Sequence, residues 1–276
     1  MQIGISEIIM PEYSLEDFFA QSKAAGYDVA EVVIGGNMPL QLSNRNEVAP
    51  KIRRLSEQYH LPVVSLVQWQ CGGNLLENGE RQKISIEQTC EGLEIARELG
   101  AKVSLHTLGE LTPELYYEEA YENAVNALRV ISKTAEKTDV ALAVEFVWNG
   151  FLFSPLEMKR LLDDVGSSAV GFYFDPGNMA IFQYPHHWAR ILGKYIKAMH
   201  MKDWTGHVVD GGWKKVKEGN VLDGQWTALL DGKVDFAKLM KELRAVGYDG
   251  PMISEVERNL ASIEKTATTI KKIMTL

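Results

Sequence analysis

Cysteine is scarce: Cys71 and Cys90 are the only two in 276 residues, and neither belongs to a CxxC pair. That excludes a disulfide framework and a cysteine-based metal motif. It also suits a reducing compartment. Positive charge is not in excess either. Against 29 Lys and Arg stand 37 Asp and Glu, a formal net charge of −8. The basic stripe of a nucleic-acid binder is missing; the densest basic run is Lys214, Lys215 and Lys217. No stretch approaches the roughly 18 uninterrupted apolar residues of a membrane helix. The opening MQIGISEIIM has neither a basic segment nor a long apolar core, so a secretory leader is not expected. These absences predict a cytoplasmic protein with no nucleic-acid and no membrane partner. A GxGxxG after the first strand is also lacking, which removes the main sequence support for a doubly wound nucleotide-binding sheet.

What is present is an alternation. Short apolar runs, each stopped by Gly, Pro or charge, read as buried strands. They are QIGIS from Gln2, DVAEVVI from Asp28, VVSLVQW from Val63, Lys102–Leu105, VALAVEF from Val140, FYF within Val170–Phe174, YIKAM from Tyr195, and Pro251–Glu255. Amphipathic helices separate most of them, for example Leu15 to Ala25 behind the N-cap Ser14, Glu80 to Leu99 before Gly100, and Pro113 to about Thr138. Eight strand–helix alternations imply parallel pairing through crossovers and close most simply into a (β/α)₈ barrel. The chain is therefore expected to form a single domain over residues 1–276. One irregular insertion, Thr205 to Gly232, follows strand seven and is rich in Gly, Trp, Lys and Asp. A loop this long in a compact domain is usually functional, and it is expected to be a lid.

In such a barrel the C-terminal ends of the strands converge on one face. Polar residues there are Gln68, His106, Glu145, Asp175, His200 and Glu255, with Glu31 inside the second strand. Glu145, Asp175, His200 and Glu255 come from strands five to eight in succession. Buried carboxylates without a cation are costly. Three of them with an imidazole form a hard, mixed O/N set that suits Mn²⁺, Mg²⁺, Co²⁺ or Zn²⁺. Glu257 follows Glu255 by two, and competes with it for the ligand position. His106 is a candidate substrate contact, and Trp148, Trp69 and Phe151 are candidates for an apolar wall.

Five segments carry a family resemblance: AVEF at 143–146, FDPGNM at 174–179, HMKD at 200–203, DGKVDF at 231–236 and GYDGPMISEVE at 247–257. In this order the chain resembles the sugar phosphate isomerase/epimerase superfamily of xylose isomerase-like barrels. The group includes ketose 3-epimerases, pentulose-5-phosphate 3-epimerases, keto-inositol dehydratases and endonuclease IV. The resemblance implies one divalent metal, Mn²⁺ first among the alternatives, held by Glu145, Asp175, His200 and Glu255. In the epimerase branch it implies a ketose chelated through O2 and O3. Glu145 and Glu255 then act as catalytic residues on opposite faces of C3, exchanging its proton through a metal-stabilised cis-enediolate. Such relatives often form dimers or tetramers, so a homo-oligomer is expected.

The sequence departs from the free-ketose 3-epimerases at two places. Asn178 stands where they carry a substrate-binding histidine, and Thr205-Gly206-His207 stands where they carry an arginine. The DPGN and HMKD forms look more like the phosphate-epimerase and uncharacterised isomerase branches. Asn178, Lys202, His106 and Trp148 are accordingly the expected substrate-binding residues. Lys202, with Lys214, Lys215 and Lys217 on the lid, would meet a phosphate or carboxylate as point charges. The expected substrate is a small sugar or sugar phosphate. A metal-dependent dehydratase of a keto-polyol such as a keto-inositol is the alternative, since it begins with the same proton removal. An endonuclease IV activity needs three zincs and many strand-end histidines, which six histidines and an acidic chain do not supply.

Overall fold

The computed structural model describes residues 1–69, 71–206 and 224–276. Eight parallel strands close into a barrel. In chain order they are β1 (Ile3–Ser6), β2 (Val29–Ile34), β3 (Val63–Gln68), β4 (Val103–His106), β5 (Ala141–Glu145), β6 (Val170–Phe174), β7 (Ile196–Met201) and, after a short hairpin, β10 (Met252–Ser254). Closure comes from β1 pairing on one side with β2 and on the other with β10, Ile3 opposite Met252. Nearly every strand residue is buried, as expected where a parallel sheet is covered by side chains inside and helices outside.

The helices are α1 (Leu15–Ala24), α2 (Arg45–Gln58), α3 (Gly79–Leu99), α4 (Tyr117–Thr138), α5 (Pro155–Val165), α6 (Pro176–Ala180), α7 (Pro185–Leu192), α8 (Phe236–Ala245) and α9 (Ile263–Ile273). Their starts follow local chemistry. Ser14, Ser154, Asp175, Asp235 and Ser262 each accept a backbone N–H of the first helical turn. Helix α4 begins at Tyr117, later than the expected Pro113, because Thr112 to Leu115 first makes a turn, Leu115 N–H donating to Thr112 O.

Strand alternation sorts the core into two parts. Val33, Val67, Val103, Leu105, Ala143, Tyr173, Ala198 and Ile253 fill the barrel. The larger cluster, including Leu66, Leu142, Phe172 and Phe174, packs between sheet and helices. The expected lid is closed at its base by an antiparallel hairpin of β8 (Asp203–Trp204) and β9 (Trp226–Thr227). Lys214, Lys215 and Lys217 lie outside the described residues.

Candidate metal centre and active site

Each of the four residues is delivered by a strand end. Glu145 closes β5, Asp175 follows β6, His200 lies in β7 and Glu255 follows β10. One ligand atom from each lies within 4.8 Å of the others. His200 Nδ1 is 3.2 Å from Glu145 Oε1, 3.2 Å from Glu255 Oε2 and 3.9 Å from Asp175 Oδ2. Asp175 divides its two oxygens. Oδ1 accepts the Asn178 N–H at 3.0 Å and caps α6, while Oδ2 is left for the cluster. Pro176 fits the first helical position because no N–H is needed there. Gly177 permits the close approach of α6, since a Cβ would stand 2.6 Å from Lys202 Cβ and 3.0 Å from Trp226 Cζ3.

Asp175 Oδ2 and Glu255 Oε2 are buried at the centre of the group, and the cation they meet is the Lys202 ammonium. Lys202 Nζ stands 3.2 Å from the first and 2.5 Å from the second, so one ammonium balances both carboxylates. Three converging carboxylates beside an imidazole, balanced by a single lysine, are a donor set that fits a hard divalent cation.

The electrostatics follow from crowding in a dry place. Burial pushes the Glu145 carboxyl up to about 7; the His200 contact opposes this, and Asp175 and Glu255 add to it. For His200 burial disfavours the charge, yet the carboxylates of Glu255 and Glu31 raise its pKa well above the ordinary value. Burial also opposes the Lys202 charge, but Asp175, Glu255 and Glu145 hold it protonated.

Aromatic rings wall the mouth. Trp148 stacks on Trp226 with centroids 5.4 Å apart and planes 9° apart, and Trp204 meets both edge-on. Lys202 Nζ lies 4.9 Å from the Trp226 centroid. A cavity of about 230 Å³ opens beside Lys202, Trp226 and Glu255, and one of about 690 Å³ lies between Trp69, Thr107 and Trp148.

Not every expected residue joins the cluster. Lys202 does, and Trp148 walls the approach. Asn178 acts as a bracket: its Nδ2 donates to Phe146 O at 3.2 Å, and its own carbonyl accepts from Trp148 Nε1 at 3.3 Å. His106 sits on the opposite face of β4 from Val103 and Leu105, which point into the barrel, and it lines the larger cavity with Trp69 and Trp148. Its Nδ1 accepts the Leu108 N–H at 2.8 Å, and burial pushes its pKa down to about 4. Leu108 itself has a left-handed φ of 68°. Trp69 lines the larger cavity, whereas Phe151 is buried against Tyr117. Glu257 is exposed and outside the four-residue group, because β10 ends at Ser254 and strand alternation no longer applies beyond it.

Strand-end reasoning passed over Glu31. It is fully buried one layer below the cluster, with Oε1 2.9 Å from His200 Nε2. The available signal was its place inside an otherwise apolar strand, where a carboxylate needs internal partners.

Comparison with known proteins agrees with this architecture. Similar solved structures include a D-tagatose 3-epimerase-like protein (TM-score 0.80, 21% identity, covering 100% of this chain and 97% of that one). The 3-keto-D-glucoside 4-epimerase of E. coli gives a TM-score of 0.77 at 15% identity, covering 100% of both chains. An L-ribulose 3-epimerase gives 0.76 at 18%, covering 99% of this chain and 94% of that one. No curated protein matches the chain. The family profile described as xylose isomerase-like TIM barrel spans residues 19–273, and the chain belongs to that family.

Proposed function

We propose that the protein is a divalent-metal-dependent isomerase or epimerase of a keto sugar, working by proton transfer at the carbon next to the carbonyl. The observation that carries this reading is the Glu145, Asp175, His200, Glu255 group, whose ligand atoms converge within 4.8 Å of one another. These four residues would hold the cation. A cation bound there supplies Lewis acidity, which acidifies the C–H next to a carbonyl and balances the developing oxyanion.

The rest falls to the side chains. Glu145 and Glu255 reach the cluster from non-adjacent strands, with β6 and β7 between them in the barrel order. One glutamate takes the proton and the other returns one from the opposite face, which inverts the carbon. Their surroundings differ. Glu255 has Lys202 at 2.5 Å, while burial pushes Glu145 toward its protonated form. Lys202, held protonated, places a positive charge at the rim of the cluster for an oxygen of the substrate. The stacked Trp148–Trp226 pair adds an apolar wall beside the cluster, against which a sugar ring can pack. The proteins named in three similar structures are sugar epimerases or epimerase-like, which supports the same class of substrate.

The test is solvent exchange. Protein loaded with Mn²⁺ or Co²⁺ is incubated in deuterated water with a panel of free ketoses, ketose phosphates, keto-glycosides and keto-inositols. The expected result is deuterium entering at the carbon beside the carbonyl of at least one class, with the inverted sugar as product. Absence of exchange in every class overturns the proposal. Loss of water from a keto-inositol would favour the dehydratase alternative.

A further inference from the structure

We propose that Glu31 is a positioning residue for the cation site, acting through His200. An imidazole binds a cation only through a nitrogen that carries a lone pair, and which nitrogen does so is fixed by the partner of the other. Here the two nitrogens face different surroundings. Nδ1 looks at Glu145 and Glu255, both at 3.2 Å. Nε2 looks away from them, at Glu31 Oε1, 2.9 Å distant. The Glu31 carboxylate is an acceptor and takes the hydrogen of Nε2. Nδ1 is thereby the nitrogen left to offer a lone pair to a cation, on the side where the three other carboxylates converge.

Glu31 is itself held. Its Oε2 accepts the Ser65 hydroxyl at 2.6 Å and also the Tyr173 hydroxyl. The Tyr173 ring lies 4.6 Å from the His200 ring, centroid to centroid, and so limits rotation of the imidazole. One carboxylate thus joins β2, β3, β6 and β7 across the barrel interior. Both of its oxygens have donors, so full burial does not leave it unsatisfied. Glu31 is not a competing ligand, because the oxygen nearest His200 is engaged on the far side of the ring from the cluster. The inference rests on the reading that a cation binds this group of residues, and on nothing about the substrate.

The experiment measures Co²⁺ and Mn²⁺ affinity of the full chain by calorimetry, with the visible Co²⁺ absorption as a reporter of the ligand set. Glu31→Gln is expected to weaken binding about 10–100-fold and to alter the Co²⁺ spectrum, with the melting temperature of the metal-free protein little changed. Tyr173→Phe leaves the Glu31–His200 contact and removes one donor, so a smaller loss is expected. Affinity of Glu31→Gln within about twofold of the parent overturns the proposal, as does a melting-temperature loss with no change in affinity. If Glu31→Gln does not fold, Ser65→Ala combined with Tyr173→Phe decides, and unchanged affinity there also overturns it. A parent chain that binds neither ion overturns the cation site itself, a different outcome from a parent that binds and a Glu31 variant that binds equally well.

Discussion

Asp203 Oδ2 accepts the N–H of Gly232 at 3.1 Å, joining positions 29 apart in the chain. The same carboxylate also accepts from Trp204 at 2.9 Å and from Leu230 and Val234 at 3.1 Å. A Cβ at Gly232 would collide with Asp203 Oδ1, so the glycine permits this approach. The Asp of HMKD and the Gly of DGKVDF, read separately as motif letters, are two halves of one anchor for the chain returning from the hairpin.

Breaking that anchor has a local signature. Asp203→Asn keeps the shape but turns an N–H₂ toward two backbone donors. It is expected to cost about 2–4 kcal/mol. Hydrogen exchange checks it: protection should fall first at Leu230, Gly232 and Val234. Unaltered exchange at these amides would refute the anchoring role.

Leu230 sits next to this anchor with φ 74° and a side chain 39% exposed. A left-handed leucine is strained, and little burial offsets it here. Leu230→Asn, which tolerates this conformation, should raise stability by about 0.5–1 kcal/mol in urea denaturation. A loss of stability would mean that the side chain contributes more than its exposure suggests.

Glu7 gives a pH dependence outside the metal cluster. It is buried after β1 and accepts the Val33 N–H at 3.0 Å. Burial pushes its pKa up to about 7 from an ordinary 4.5, against the effect of that hydrogen bond. The folded value is the higher one, so the native state binds the extra proton. Its contribution to stability is complete below pH 4.5 and is lost as pH rises through about 7. Glu7→Gln mimics the protonated form. It should match the parent near pH 4 and exceed it by up to about 3 kcal/mol near pH 8. Urea denaturation at both pH values checks this; a difference that does not grow with pH would remove the explanation.

Glu145→Gln and Glu255→Gln test the proton-transfer roles. Each should lower solvent exchange by at least about 100-fold while the chain remains folded. Circular dichroism confirms the fold, and a variant exchanging at the parent rate excludes that residue from the chemistry.

Much of the barrel was legible in the chain. Each β-branched or aromatic run stopped by Gly, Pro or charge marked a strand, and the eight-fold alternation left few topologies. The four cluster residues were legible because strand ends converge whatever their sequence separation. Two other expected residues take places that this rule does not set. His106 ends a strand but stays out of the four-residue group, since Leu105 takes the inward position, and it lines the larger cavity instead. Asn178 follows a ligand but spends its amide on Phe146 O.

The sequence by itself determined the architecture and the ligand types, because strand alternation, helix caps and strand-end polarity are local patterns. Tertiary structure decided which way each polar side chain points and what it meets. Glu31 reaches Tyr173 across 142 positions and His200 across 169. Contacts over such separations exist only once the barrel closes in one register. A slip of one residue would turn Glu31 from the barrel interior to the helices.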